Sequence, residues 1–217
     1  MPTSNPRRRA QRDDLGLDAR TFALLAALTT PARIQAFVSA IPANFELDGE
    51  TVRSVHGVLA HRQAHCIEGA LVAACALWMH GDAPLLMHLD CALGDSPHVV
   101  ALFRRGRHWG AVSKSNHAVL RFRDPVYRSL RELAMSYLHE FRDAEGHKTL
   151  RSYSGAFDLR RLKVREWVTG EESCWALHDR LAARRHFPLV TAAQARGLMD
   201  ADACERKAAQ VVDFTPP

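Results

Sequence analysis

The stretch that decides the fold is CIEGALVAACALWMHG, which runs from Cys66 to Gly81. It is apolar on nearly every side of a helix, and it ends at a glycine that suits a helix C-terminus. A helix without a polar face is normally the buried central helix of its domain. The apolar run is too short to cross a bilayer. We therefore predict a buried helix at the centre of a globular core.

Four short runs typical of strands follow this helix. They are PLLMHLDCAL, HVVALFRR, HWGAVSKS and HAVLRFRD, which begin at residues 84, 98, 108 and 117. Turn residues separate them, so we expect consecutive antiparallel strands in one sheet. Helical spacing occurs before them in TFALLAALTT, PARIQAFVSA and residues 50–62, and after them in residues 128–141 and 173–186. This segregated order predicts an α+β fold rather than a doubly wound sheet.

The length of 217 residues suits one domain. We predict a disordered basic tail over residues 1–14 and a single α+β domain over residues 15–217, with its core at about residues 50–141. The N-terminus has no apolar run behind its arginines, as a secretory signal would. The expected location is therefore cytoplasmic, with no membrane partner.

The net charge of +5 is concentrated at the N-terminus. Arg7, Arg8, Arg9 and Arg12 lie in the first twelve residues, and subtracting these four charges from +5 leaves about +1. No basic helix face interleaved with aromatic residues accompanies them, so nucleic-acid binding is not expected. Such binding through the tail would depend strongly on salt and would vanish on deletion of residues 1–12.

The cysteine and histidine spacings do not predict a metal or disulfide framework. The five cysteines are widely spaced, odd in number and without a CxxC pair. His56, His61 and His65 recur near one another, but no acidic ligand with fitting spacing stands beside them. We therefore expect no metal and no cofactor.

Cys66 stands at the expected N-terminus of the central helix. Free amide groups and the helix dipole would stabilise a thiolate there, and the same amides could hold an oxyanion. His98 opens the strand after the Asp95-Ser96-Pro97 turn, from where it could take the thiol proton. A third polar group would fix the tautomer of the imidazole. Either residue alone is more often structural, and the pairing favours a nucleophile and its base.

Two segments together resemble the transglutaminase-like superfamily of papain-like cysteine enzymes. The run from Cys66 to Ala70 is similar to its Cys-x-Asp/Glu-x-Ala pattern at the head of the nucleophile helix. HVVALF from His98, followed by Gly106 and Trp109, is similar to its histidine strand, turn and tryptophan strand. The resemblance covers about residues 62–127. It implies a papain-like core, with the central helix packed on an antiparallel sheet and extra helices at both ends.

The third member of the triad stays open. The family's usual aspartate lies about four residues past the tryptophan, where Ser113 stands here. Asn116 and Asp124 are equal candidates for the orienting role, and Ser113 ranks behind them. Gln63, His65, Ser113 and Trp109 are candidates for the oxyanion site or the pocket wall, although a surface role suits Gln63 and His65 equally well.

The first functional hypothesis is a cysteine-dependent acyl-transfer enzyme: a protease, amidase or transglutaminase-like protein. Cys66 would attack an amide or ester carbonyl to form a thioester, and His98 would pass its proton to the leaving amine. The resemblance implies a peptide or another amide-containing substrate. The alternative is a catalytically inactive member of the same fold that acts as a binding module. Selective labelling of Cys66, lost in His98→Ala, would favour the enzyme.

Overall fold

A computed structural model describes residues 9–171 and 173–216 of the chain. Those residues form nine α-helices and a seven-stranded sheet, which confirms the predicted α+β class. The helices are α1 (Arg12–Leu15), α2 (Ala19–Ala26), α3 (Pro31–Ala40), α4 (Val55–His61), α5 (Cys66–Met79), α6 (Leu130–Met135), α7 (Trp175–Ala182), α8 (Ala192–Arg196) and α9 (Ala203–Ala209). The strands are β1 (Leu85–Cys91), β2 (His98–Arg105), β3 (His108–Val112), β4 (Arg123–Tyr127), β5 (Leu150–Ser154), β6 (Phe157–Asp158) and β7 (His186–Pro188).

The sheet is antiparallel throughout, in the order β4-β3-β2-β1-β5-β7, and β6 pairs with the first residues of β1. Strands β1 to β4 are neighbours in sequence and in space, as predicted for a meander. The register pairs Ala101 of β2 with Val112 of β3. Ser113 is therefore the first residue beyond the end of β3, close to the start of β2.

Helix α5 is buried at the centre of the molecule, as its composition predicts. Twelve of its fourteen residues are buried. It packs against β2 and is flanked by α2, α3 and α4. A second apolar cluster around Tyr137 and Phe141 contains β-strand residues and part of α6. The N-terminus of α5, which carries Cys66, is fixed by this packing.

Local sequence signals explain where the helices before Cys66 begin and end. Thr30 caps α3, and Pro31 occupies its first position, as the sequence predicts. Ser54 caps α4, so this helix begins later than the predicted residue 50. Arg62 adopts a left-handed backbone (φ 57°) and ends α4. The chain then turns within a few residues to start α5 at Cys66.

The fourth strand of the sheet begins later than the run from residue 117 predicts. Residues 117–122 form a loop, and β4 begins at Arg123. The loop's backbone bonds outside the sheet, since Ala118 N donates to Val211 O and Leu120 O accepts the Ser113 hydroxyl. Leu120 itself has a left-handed backbone (φ 58°), which a continuous strand would not permit.

Ordered structure starts before the predicted domain boundary. Residues 1–8 of the predicted tail lie outside the described residues. Ala10 is buried, and its amide donates to Trp78 O at 3.2 Å. Leu15 at the end of α1 is fully buried in the cluster around α5. The end of the predicted disordered segment is therefore part of the core. No helix in the described part of the chain combines the length and apolarity needed to span a membrane.

Candidate active site

Cys66 is the first residue of α5 and is partly exposed. Burial alone would raise the pKa of its thiol, but hydrogen bonds with His65 and His98 hold that pKa well below its ordinary value. The other helix cysteine behaves differently, because burial raises the pKa of Cys75 to about 12. The surroundings of Cys66 therefore favour its thiolate form, whereas those of Cys75 favour a neutral core thiol.

His98, the predicted base, is buried at the start of β2 and is held by Ser113. Its Nε2 lies 2.8 Å from Ser113 Oγ. The Ser113 hydroxyl donates to Leu120 O at 2.5 Å, so it accepts from the His98 Nε2–H. Nδ1 is then the imidazole nitrogen left for Cys66, which fixes the tautomer a general base needs.

Two hydrogen bonds with Gln35 fix the backbone of Ser113. Its backbone amide donates to Gln35 Oε1 at 2.9 Å, and Gln35 Nε2 donates to Ser113 O at 2.8 Å. Cys66, His98 and Ser113 thus form one hydrogen-bonded series.

His65 supplies a second imidazole to the same thiol. Its Nε2 donates to Thr51 O at 2.7 Å and lies 3.5 Å from Glu68 Oε1 and 3.6 Å from Glu46 Oε1. Burial would lower the pKa of His65, but the hydrogen bond to Cys66 and the charges of Cys66 and Glu68 raise it to about 9. His65 is therefore a cation at neutral pH, beside the thiolate.

Glu68 organises the first turn of α5 from a fully buried position. Its carboxylate accepts four hydrogen bonds, which satisfy a charge that would otherwise be costly to bury. The donors are Asn44 Nδ2 (3.1 Å), Thr51 Oγ1 (2.8 Å), Arg53 N (2.9 Å) and His65 N (3.1 Å). Glu68 thereby ties the chain before α4 to the head of α5 and positions His65.

Amide donors for an oxyanion remain at the head of α5. Gly69 N donates to His65 O within the helix. Among the described residues, the amides of Cys66 and Ile67 have no acceptor, as expected for the first turn of a helix. They can stabilise negative charge that develops beside the sulfur.

A cavity of about 660 Å³ opens beside the thiol. It is bordered by His65, Cys66 and His98, by residues 114–117, 119 and 120, by residues 140–144 and by the last helix of the chain. Arg206, Ala209 and Gln210 come from that last helix and the residue after it. The final part of the chain therefore builds one wall of the cavity.

The three candidates for the orienting group have different contacts. Asn116 borders the cavity, but its side chain holds the end of the chain: Nδ2 donates to Phe214 O, and Oδ1 accepts from Phe214 N, both at 2.9 Å. Asp124 is exposed on β4. Ser113 contacts His98 because the β2–β3 register places it just beyond the end of β3.

Two predicted pocket residues lie away from the thiol. Gln63 is exposed and borders a separate hollow of about 200 Å³. Trp109 packs on the apolar cluster that contains Tyr137, with the Arg104 guanidinium 4.6 Å above its ring. Neither borders the cavity that contains Cys66, whereas His65 does.

One group of potential metal ligands occurs in the described part of the chain, near the cavity rim. Asp143, Glu145 and His147 place ligand atoms within 4.8 Å of one another, and the last two are exposed. Asp143 already accepts from Gly146 N and His147 N, as in an ordinary surface turn. This turn carries no metal assignment.

The sequence matches no known family model, and a search of curated proteins returns no relative.

Proposed function

We propose that this chain is a cysteine-dependent acyl-transfer enzyme of the transglutaminase-like, papain-like type. Cys66 is the nucleophile, His98 the acid and base, and Ser113 the group that orients His98. The observation that carries the proposal is the thiol at the head of a buried helix, hydrogen-bonded to two histidines and open to a cavity of about 660 Å³.

The first half of the reaction forms a thioester. The Cys66 thiolate attacks the carbonyl carbon of an amide or ester, and the amides at the head of α5 stabilise the oxyanion. As the bond to the leaving group breaks, the His98 imidazolium gives its Nδ1 proton to the departing amine or alcohol. The acyl group is then bound to sulfur, and His98 is neutral.

The second half releases the acyl group. Water or an amine enters the cavity and loses a proton to His98 Nδ1 as it attacks the thioester carbonyl. The carbon–sulfur bond breaks, and the thiolate re-forms beside the His98 imidazolium. Water gives hydrolysis, and an amine gives transfer to a new amide.

The two histidines suit different tasks in this scheme. Ser113 offers His98 a neutral acceptor, so His98 is free to gain and lose a proton during each cycle. The hydrogen bond to Cys66 and the charges of Cys66 and Glu68 favour the cationic form of His65. His65 therefore maintains the thiolate, and His98 moves protons.

An activated ester tests the proposal directly. With p-nitrophenyl acetate, we expect a burst of nitrophenolate equal to the enzyme concentration and an acetyl adduct on Cys66, found by peptide mass mapping. Cys66→Ala should lose both signals, and Cys75→Ser, the control, should keep them. A protein that alkylates rapidly at Cys66 but never forms the acetyl adduct would instead be the binding module.

The role of Ser113 has its own readout. Ser113→Ala removes the acceptor for His98 Nε2–H, and we expect acyl transfer to slow about tenfold to a hundredfold. Alkylation of Cys66 should change far less, since His65 still supports the thiolate. Equal losses in both reactions would argue against an orienting role.

A further inference from the structure

One wall of the cavity carries cations that lack carboxylate partners. Lys114, Arg142 and Arg206 all border the cavity. In residues 9–171 and 173–216, none of the three has a carboxylate within the 4.0 Å ion-pair distance that pairs Arg121 with Asp213. Three positively charged side chains without an ion-pair partner among the described residues thus share the cavity with Cys66.

These cations are held by backbone carbonyls instead. Arg142 donates to His139 O at 2.9 Å and to Glu205 O at 2.5 Å, while its buried Nε has no acceptor. Arg206 donates to Ala201 O at 2.5 Å. Carbonyl contacts orient a guanidinium but do not neutralise its charge.

Lys114 is almost fully buried and is held in the same way. Its Nζ donates to Ile41 O at 2.5 Å and lies 5.1 Å from the centre of the Phe214 ring. Burial lowers the pKa of Lys114 to about 8, so the ammonium group remains largely protonated at neutral pH.

Of the described acids that border the cavity, two contact basic side chains and the third is held by neutral donors. Glu140 forms an ion pair with Arg123 at 2.7 Å. Asp143 contacts His147 Nδ1 at 2.9 Å. The third acid, Asp95, accepts hydrogen bonds from Thr149 Oγ1 and from Ser96 N. The positive charge of Lys114, Arg142 and Arg206 therefore exceeds the negative charge of the acids that border the cavity and have no basic partner.

We propose that the cavity selects substrates that carry an anionic group beside the amide or ester, with Arg142 and Arg206 as its binding residues. This inference rests on the proposed function, because the same cavity contains Cys66. In a peptide-like substrate the anionic group is a carboxylate, whose two oxygens match the paired donors of a guanidinium. Binding it would supply the counter-charge that the wall lacks.

The test compares two alkylating reagents of similar size. Iodoacetate carries a carboxylate and iodoacetamide does not. The rate of iodoacetate divided by the rate of iodoacetamide is measured at Cys66 and at a free thiol in solution. The first ratio divided by the second reports how strongly the electrostatic potential in the cavity favours an anion. We expect iodoacetate to be favoured in the wild type. The ratio should fall about threefold or more in the double variant Arg142→Gln, Arg206→Gln. Arg180→Gln, which alters an exposed arginine of α7, is the matched control and should leave the ratio unchanged.

The positive charge of His65 is present in every variant, so it cancels in this comparison. An unchanged ratio in the double variant, with its iodoacetamide rate retained, overturns the inference and leaves the proposed function intact. Failure of Cys66 to outpace a free thiol with either reagent overturns the proposed function instead.

A second measurement uses only the wild-type protein, so its result does not depend on whether a variant folds correctly. Glutarate should protect Cys66 of the wild-type protein from iodoacetamide, and the neutral diamide of the same length should not. Protection should weaken as salt is added, because salt screens the arginines. Equal protection by the acid and the diamide, or none by either, would refute anion selection.

Discussion

At the scale of single residues, the two histidines beside Cys66 differ in what supports them. His98 rests on a neutral hydroxyl, whereas His65 donates to Thr51 O and lies near two carboxylates. The hydrogen bond to Cys66, the charges of Cys66 and Glu68 and the contact with Thr51 O raise the pKa of His65 to about 9. The resting thiolate should therefore depend mainly on His65.

We expect His65→Gln to raise the pKa of Cys66 by about one to two units, since a hydrogen bond to a charged group contributes about 1.5–3 kcal/mol. The ultraviolet absorbance of the thiolate, recorded against pH, measures this shift. His61→Gln, a change of an exposed histidine in the preceding helix, is the control. An unchanged thiol pKa in His65→Gln would show that His98 alone maintains the thiolate.

The sequence reveals some of these residues and conceals others. Cys66 and His98 are identifiable because a change in hydrophobic periodicity marks the start of a helix or a strand. Ser113 and Asn116 are both polar residues after the same strand, and the choice between them depends on strand register. Register is a long-range property, so the sequence ranked Asn116 and Asp124 equally ahead of Ser113, whereas in the structure Ser113 contacts His98.

At the scale of elements, Gly69 sets how closely the loop after β3 approaches α5. A Cβ added at Gly69 would overlap Lys114 Cβ, well inside van der Waals contact. The absence of a side chain there lets Lys114 cross the first turn of the helix and reach Ile41 O.

Gly69→Ala should therefore destabilise the protein by about 1–3 kcal/mol through overpacking, although alanine is the better helix former. Urea unfolding measures the change. Gly197→Ala is the control, because a Cβ at that position would have its nearest neighbours at an ordinary 3.7 Å. A stabilised Gly69→Ala variant would mean that Lys114 moves aside without cost.

The loop of residues 114–121 is held by the last residues of the chain. Asn116 makes paired hydrogen bonds with Phe214, Arg121 forms an ion pair with Asp213 at 2.7 Å, and His117 contacts Ala209 O. The same loop supplies Leu120 O to the Ser113 hydroxyl. The end of the chain is thus connected to the group that orients His98.

Asn116→Ala should lose about 1–3 kcal/mol of stability and should reduce acyl transfer more than alkylation of Cys66. Faster amide hydrogen exchange in residues 114–121 and 211–216 would locate the effect. Gln210→Ala, at an exposed position beside them, should leave exchange in residues 114–121 unchanged. Unaltered exchange in Asn116→Ala would separate the end of the chain from the active site.

The sequence predicts long helices and strands with a regular apolar pattern better than it predicts short ones. Helices α3 and α5 carry strong apolar patterns with clear caps, and they lie where the sequence places them. Strands β5, β6 and β7 have two to five residues each, and they pair with residues distant in sequence. Too little local pattern remains in such strands to identify them.

At the scale of the whole molecule, the buried His88 and its partly exposed partner His186 on the sheet couple folding to pH. His186 Nδ1 donates to Arg184 O at 2.7 Å, so its Nε2 accepts from His88 Nδ1–H at 2.9 Å. This leaves His88 Nε2 buried without a partner. Burial and the charge of His186 lower the pKa of His88 to about 4.

Because this pKa is below the unfolded value near 6.5, the unfolded chain binds the extra proton more readily. The contribution of His88 to stability is therefore complete above about pH 6.5 and decreases as the pH falls toward 4, by about 3 kcal/mol in all. Chemical unfolding at several pH values should show that the free energy of unfolding falls less steeply between pH 6.5 and 4 in His88→Gln than in the wild type. His56→Gln, at an exposed site, should keep the wild-type slope; equal slopes in all three proteins would contradict the assignment.

The isolation of Cys66 has a consequence for how the protein survives oxidants. Peroxide converts an accessible thiolate to a sulfenic acid, which a neighbouring thiol normally captures as a disulfide. No second cysteine borders the described cavity, and Cys75 is sealed in the core. Unless a small thiol enters from solution, a second peroxide molecule should convert Cys66 irreversibly to a sulfinic acid. Preparations stored without reductant should therefore lose their reactive sulfur permanently, and the mass of the Cys66 peptide should increase by two oxygen atoms.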